Sequence, residues 1–166
     1  MTATHNIQPK SLQYQVQSTR NFAGYKNILI EKIQALTGND GDTLFDEVYG
    51  VEKTDIETYP ACFVIQRAGR GELIDTHRNQ REWEFAIVIH QEIGQRSPDT
   101  AYEALVDATD RVIKMLDTDP MLADENGQNQ CKSVDVVSVN FEYAQREQAV
   151  HRSLIVVNVT QLVQRY

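Results

Sequence analysis

Residues 61–66 read Ala-Cys-Phe-Val-Ile-Gln, and residues 82–91 read Glu-Trp-Glu-Phe-Ala-Ile-Val-Ile-His-Gln. Both runs are rich in β-branched and aromatic residues, which are typical of strands. In the second run, large apolar side chains recur at every other position from Trp83 to Ile89, so they share one face of a strand. We therefore predict two neighbouring strands, the second of them central in a sheet and with one core face.

The connection between these strands, residues 67–81, is far longer than a hairpin turn requires. It is locally basic within an acidic chain, and connections of this length are usually functional or disordered. We predict a long hairpin arm that contacts a complementary surface on a partner or on another copy of the chain. A flexible exposed loop is the alternative. The candidate contact residues in this arm are Arg67, Arg70, Glu72, Asp75, His77, Arg78 and Arg81.

The composition favours one ordinary globular domain. A chain of 166 residues, 41% of them hydrophobic, buries enough surface to fold without a disulfide or a metal. The net charge of -8 argues against tight nucleic-acid binding, which needs a basic surface. Cys62 and Cys131 lack the spacing of a disulfide framework and are typical of reduced, ordinary cysteines. No export signal or long apolar run is present, so we expect a soluble chain made in the cytoplasm.

The N-terminal residues have a pattern of their own. Leu12, Tyr14 and Val16 alternate with glutamines, which is typical of a strand with one apolar face. We predict that residues 1–17 form a partly flexible arm whose strand adds to a sheet edge, in the same subunit or in a neighbour. These three apolar residues are further candidate assembly contacts. Residues 18–166 are predicted to form a single α+β domain.

Two amphipathic helices are predicted from apolar residues at spacings of three and four. The first covers residues 20–37, with Ser18 or Thr19 as its cap. The second begins at Ser97, where a cap is followed by proline and an acidic residue, and it ends near Asp117.

Three further strands complete the predicted fold. A short edge strand is expected within residues 44–51, and alternating apolar residues predict long strands over residues 134–143 and 152–163. A polar hairpin loop joins the last two. Because no parallel βαβ series is present, we predict an α+β fold, with an antiparallel sheet of about four to five strands and two helices on one face.

The sequence contains no convincing catalytic, metal or cofactor motif. The four histidines do not follow the spacing of zinc ligands. His90 shares a strand face with Glu82 and Glu84, which imitates an acid/base cluster, but such residues more often form a solvated or interfacial face. We therefore assign no catalytic residue, no metal site and no cofactor.

Two weaker patterns in the sequence partly match known binding motifs. Gly69-Arg70-Gly71 is similar to a fragment of nucleic-acid binders, but one copy is a weak signal and the glycines suit a flexible bend equally well. The acidic segments 39–42 and 124–127 each contain part of a calcium loop but lack its full ligand series. We predict that both acidic segments are turns.

The chain resembles the tail terminator, or tail completion, proteins of long-tailed bacteriophages and related minor tail or neck proteins. The resemblance covers about residues 20–164 and lies in the order of the predicted elements. The segments that carry it are the opening helix through Leu36, residues 57–65, the long connection, residues 81–89, the helix over 101–116 with residues 117–120 after it, and the two terminal strands.

The resemblance implies a protein without enzymatic activity that forms a ring, commonly a hexamer, on the head-proximal end of the tail tube. Such a ring would stop tube growth, because a heterologous stack has no stopping rule of its own. It would also offer a surface to the head connector or a head completion protein. Genome DNA would pass through it without specific binding, since an acidic lumen repels phosphates. The protein would assemble in the host cytoplasm and remain in the tail or neck of the virion.

Two alternatives stay open at this point. A head completion or connector protein of the neck would differ from a terminator in the partner that the ring binds. A small α+β ligand-binding or regulatory domain belongs to another class and would need a concave pocket with convergent polar groups. The apolar stripes of both predicted helices suggest instead that the core face of the sheet is covered.

Overall fold

The computed structural model describes residues 21–75, 78–94, 97–145 and 149–164. The predicted N-terminal arm, including Leu12, Tyr14 and Val16, lies outside these residues. Two helices and a five-stranded sheet confirm the α+β class. In chain order the elements are α1 (Phe22–Gln34), β1 (Val48–Tyr49), β2 (Ala61–Leu73), β3 (Arg78–Glu92), α2 (Pro98–Thr118), β4 (Ser133–Gln145) and β5 (Ala149–Gln164).

The strands lie in the order β1-β2-β3-β5-β4. Every neighbouring pair is antiparallel except β1 and β2, which are parallel, so the sheet is mixed and the prediction of a purely antiparallel sheet was wrong. A parallel pair needs a crossover connection. Residues 50–60 provide it, and Ile56 and Tyr59 within them pack on the sheet face opposite the helices.

Both helices cover one face of the sheet, as predicted. Their buried side chains form a single core with apolar residues of the four longer strands. A second, smaller cluster lies on the other face, where Phe63 and Val88 are buried beneath Tyr59. The central strand β3 is therefore covered on both faces near its C-terminal end, although the sequence predicted only one core face. Representative core residues are Tyr25, Leu29, Ile33, Phe85, Ile87, Leu105, Val112, Ile155 and Val157.

The ends of α1 differ from the prediction. Asn21 caps the helix by accepting a hydrogen bond from the backbone N of Gly24 at 3.1 Å, whereas the predicted cap residues lie outside the described part of the chain. The helix also ends three residues early, at Gln34. It stops there because the following residues pair with the next segment, where Leu44 N donates to Leu36 O at 2.8 Å. The prediction for α2 is confirmed at its cap, Ser97, and within one residue at its C-terminal end.

The largest boundary correction concerns β2 and β3. The predicted strands ended at Gln66 and resumed at Glu82, but the observed ladder continues to the pair Leu73 and Asn79, with a bulge after Gln66. β3 also pairs with β5 along this whole length. Residues 67–73 and 78–81 therefore belong to the sheet, and an arm separate from it is not confirmed. Polar side chains do not prevent this extension, because strand pairing satisfies the backbone groups whatever the side chains are.

Candidate assembly surfaces

The hairpin end, defined as residues 67–75 together with 78–84, contains most of the predicted contact residues. Arg67 Nε lies 3.5 Å from Glu84 Oε1. Arg78 Nε and Nη2 each lie 2.8 Å from Asp75 Oδ2. The sequence suggested a basic region, but strand pairing adds two glutamates of β3 to it, so four arginines are balanced by four acidic residues. The eight residues are Arg67, Arg70, Arg78 and Arg81 against Glu72, Asp75, Glu82 and Glu84.

The remaining contact candidates divide between the two faces of the sheet. Arg70 and Glu72 are exposed on the face away from the helices, whereas Arg81 is exposed on the helix side, opposite Gly71. His77 lies outside the described residues. The structure therefore does not bring all the predicted contacts together on one surface.

Gly69 is a site of close packing, and its predicted role as a flexible bend was wrong. The Trp83 ring lies over this glycine and packs at a tilt against Phe22, with ring centroids 4.4 Å apart and an angle of 54° between the ring planes. Trp83 Nε1 also donates to Gln161 Oε1 at 3.3 Å. A Cβ at residue 69 would lie 2.7 Å from two Trp83 ring carbons, whereas a Cβ at Gly71 would meet nothing within 4 Å. The missing side chain at residue 69 gives the indole its position.

Both sides of the sheet end in open strand edges within the described residues. β1 pairs only with Cys62 and Phe63, and Val64 is also fully buried, so the outer edge of β2 is exposed from Gln66 onward. β4 is the other outer strand, and residues 134–143 of it contain no lysine, arginine or proline, the residues that commonly protect an edge. Three of its large apolar side chains are strongly exposed, namely Val137 (56%), Phe141 (41%) and Tyr143 (59%).

An aromatic patch flanks the open edge of β4. Tyr102 of α2 contacts Phe141, with ring centroids 5.8 Å apart, and His151 of β5 lies between Tyr102 and Tyr143 at 5.6 and 6.0 Å. The sequence pattern did not predict this surface. The alternating pattern places Phe141 and Tyr143 on the apolar face of β4. Only the strand order shows that β4 is an edge strand. Tyr102 itself lies outside the buried stripe of α2.

His90 shares a face of β3 with Glu82 and Glu84, but the prediction that it lies on a solvated or interfacial part of that face was wrong, because His90 is buried. His90 is 1% exposed, and its Nε2 atom lies 3.9 Å from Glu52 Oε1, while Glu84 pairs with Arg67 of the neighbouring strand β2. Arg152, the cross-strand partner of His90, lies 3.9 Å from the same glutamate oxygen. This cluster ties the crossover segment to the sheet, so its role is structural.

The two thiols are poor nucleophiles. Burial, with smaller contributions from Asp119 and Asp135, raises the pKa of Cys131 to about 12. Burial also raises the pKa of the Cys62 thiol far above its usual range. Both side chains are therefore protonated at neutral pH. Because only the thiolate is a good nucleophile, neither cysteine is reactive in the folded protein. Within the described ranges, no group of three or more histidine, cysteine or acidic side chains is placed to hold a metal.

The loop over residues 124–130 is a structural anchor. Asp124 Oδ1 accepts hydrogen bonds from the backbone N atoms of Asn126 and Gln128, both at 2.9 Å, and its Oδ2 accepts one from Gln130 Nε2 at 3.0 Å. Tyr25 of α1 donates to the Gln130 carbonyl at 3.0 Å and so fixes the loop to the core. The carboxylate is engaged within its own loop, which confirms the predicted turn.

Comparison with known proteins adds no family assignment. No protein-family model matches this chain, and no curated protein matches it. None of the helices in the described part of the chain is long and apolar enough to cross a membrane. The open edges and the hairpin end are thus the surfaces from which a function can be inferred.

Proposed function

We propose that this protein is a structural virion subunit, a ring-forming tail terminator that caps the head-proximal end of a phage tail tube. The observation that supports this proposal most is a sheet with two different open edges on opposite sides of one subunit. Unlike surfaces on opposite sides allow head-to-tail contacts, which close into a ring when the rotation between subunits permits. The order of helices and strands behind the resemblance is also present in the fold.

In this role the ring binds the tail tube protein below and a head connector or head completion protein above. One face of the ring binds the end of the tube, whereas the opposite face does not bind further tube subunits. Tube polymerisation therefore stops at the ring. The net charge of -8 suits a ring through which DNA slides, because acidic surfaces repel phosphates. No specific DNA binding is part of the proposal.

A ligand-binding domain has less support. Phe85, Ile87 and Val157 fill the space between sheet and helices and are fully buried. The groove between residues 35–37, which follow α1, and the C-terminal part of α2 has a volume of about 420 Å³ and is open to solvent. Arg111 on its wall already donates to Asp107 at 2.8 Å and to the backbone carbonyl of residue 37 at 3.2 Å. The groove therefore offers no unengaged guanidinium to a ligand.

The direct test measures the mass of the purified protein by light scattering, with and without tail tubes. Electron microscopy of the same samples shows where the protein binds on the tubes. We expect ring-sized density on one end of each tube and no further tube growth from that end. The tubes must be present, because terminators of the family it resembles can be monomeric alone. A chain that neither forms rings nor binds tubes would contradict the proposal. Binding to the head connector alone would favour the head completion alternative.

A shortened hairpin tests whether the hairpin end contacts the tube. Arg70 and Glu82 are cross-strand partners, so an Asn-Gly turn can join them in place of residues 71–81. This variant retains Gly69 and its packing against Trp83, so we expect an unchanged fold and loss of tube capping. Gly71→Ala, which keeps the hairpin length, is the control and should cap normally. If the shortened variant still caps tubes, the hairpin end is not the contact.

A further inference from the structure

We propose that copies of this chain join head to tail through their sheet edges, with β4 of one copy pairing antiparallel to β2 of the next. The inference rests on the proposed ring and identifies the contact that would build it. Both strands end the sheet on their own side within the described residues, apart from the short cover that β1 gives to β2. A strand with unpaired backbone groups is a template for a strand of another chain.

The strand directions fit this contact. β2 is antiparallel to β3, β3 to β5, and β5 to β4, so β4 runs opposite to β2 of the same chain. When a second copy lies beside the first in a similar orientation, its β2 also runs opposite to β4. The antiparallel pattern then continues across the boundary between the copies, and the new pair has the more stable of the two ladder geometries.

One register satisfies the side-chain alternation of both strands. It places Asp135 opposite Arg70 of the next copy and Val139 opposite Gln66 of the next copy. Residues of the helix side then face residues of the helix side along the whole contact, as the two-residue period requires. Each strand also has a bulge, at residue 137 of β4 and at residue 67 of β2, and this register sets the two bulges against each other.

The chemistry of the two edges is complementary. Residues 134–143 of β4 contain Asp135 and Glu142 and no cation, whereas residues 64–73 of β2 contain two arginines and one glutamate. The β4 segment is acidic and the β2 segment contributes Arg70 on the face of Asp135, so this pairing places opposite charges together, while β4 against β4 would bring acidic residues together. A second copy of this chain is therefore the occupant that fits both edges.

Disulfide trapping tests the contact and its register. Opposed residues in adjacent strands have Cβ atoms about 4.5–5.5 Å apart, close to disulfide geometry. In the double variant Asp135→Cys/Arg70→Cys, each copy carries one new thiol at each edge. Mild oxidation at high protein concentration, with and without tail tubes, should give a ladder of covalent trimers and larger species on a non-reducing gel. Cys62 and Cys131 are buried and should not contribute.

The matched control is Asp135→Cys/Glu72→Cys, which moves the second thiol two residues along the same face. In the proposed register this pair is diagonal and about 7–8 Å apart, so it should give little or no ladder. Equal ladders from both double variants would indicate random collision and would overturn the proposal, as would a ladder from the control alone. Covalent dimers from either single variant, which carries only one new thiol, would indicate a symmetric contact and would also overturn the proposal.

Other occupants of the edges would give different results. If the intact double variant stays monomeric while the same variant without residues 1–17 forms the ladder, the chain's own N-terminal segment occupies an edge and the proposal fails. If neither form gives a ladder under any condition, copies do not meet through these edges. The trapping experiment does not measure tube capping. Its failure is therefore distinguishable from failure of the terminator function.

Discussion

At the scale of single residues, Gly69 shows how an ordinary-looking position determines local structure. Its sequence context, Gly-Arg-Gly, suggested a bend or a nucleic-acid contact. In the structure it leaves room for Trp83, which connects the start of α1, the edge strand β2 and Gln161 of β5. The packing role of Gly69 can therefore be recognised only when its cross-strand partner, Trp83, is known.

We predict that Gly69→Ala lowers the free energy of unfolding by about 1–3 kcal/mol, as expected when atoms are forced into a packed site. The new Cβ would lie 2.7 Å from the Trp83 ring, which cannot move freely because it packs against Phe22. Urea unfolding measures the change. Gly71→Ala is the matched control and should change stability by less than about 0.5 kcal/mol. Equal effects would show that the ring does not constrain residue 69.

A second prediction concerns the cysteines. Because Cys62 and Cys131 are buried and their pKa values are raised, folded protein at pH 8 should react far more slowly with a thiol reagent than urea-unfolded protein. The raised pKa values also mean that the unfolded chain ionises first as the pH rises above 9. Stability should therefore fall between about pH 9 and pH 12. Cys62→Ala/Cys131→Ala should lose this part of the pH dependence, and rapid labelling of the folded protein would contradict the assignment.

At the scale of elements, the helices were easier to predict than the strand ends. Ser97 and Pro98 specify the start of α2 through local hydrogen bonding, so the prediction succeeded. Residues 67–73 of β2 and 78–81 of β3 carry polar side chains on both faces, so they show no alternation of apolar and polar residues. Their strand state comes from pairing with each other and with β5, which is a long-range contact. Local pattern cannot report such a contact, and for this reason the hairpin connection was predicted to be an arm.

The attachment of α2 to β5 includes a buried hydroxyl pair that the sequence did not mark. Thr109 Oγ1 donates to Leu105 O at 2.7 Å and lies 2.7 Å from Ser153 Oγ of β5. We predict that Thr109→Val destabilises the protein by about 1–3 kcal/mol, because it leaves the Ser153 hydroxyl buried without this partner.

The double variant Thr109→Val/Ser153→Ala should cost less than the sum of the single changes, by about 0.5–1 kcal/mol, because it removes both polar groups. Urea unfolding of the four proteins completes the cycle. Thr118→Val is the matched control, since Thr118 makes the same bond to the helix backbone but is exposed. Strict additivity would show that the two hydroxyls do not interact.

At the scale of the whole molecule, the important property is the position of the open edges. The strand order places β4 on one side of the sheet and β2, nearly uncovered, on the other. The chain thereby has two unlike surfaces about three strand spacings apart, or roughly 14 Å. Such a subunit is suited to polymers or rings, and a heterologous contact with the correct rotation closes into the ring that the proposed function requires.

A charge exchange tests this arrangement without new cysteines. We predict that Arg70→Glu and Asp135→Lys each weaken self-association on tail tubes by about two- to fivefold, because each places like charges opposite one another. An equimolar mixture should recover assembly, since the altered edges then face opposite charges. Ring density on tubes, counted by electron microscopy against protein concentration, measures the effect. Asp55→Lys, on the exposed crossover segment, is the control, and a mixture no better than either variant would contradict the contact.

The sequence by itself determined the α+β class, the number of helices and the approximate position of every described strand. It could do so because helix caps and apolar alternation are local properties. Only the tertiary structure decided the parallel pairing of β1, the length of β2 and β3, the packing at Gly69 and the choice of β4 as an edge. These features depend on which strands become neighbours, and that is set by packing between residues far apart in the chain.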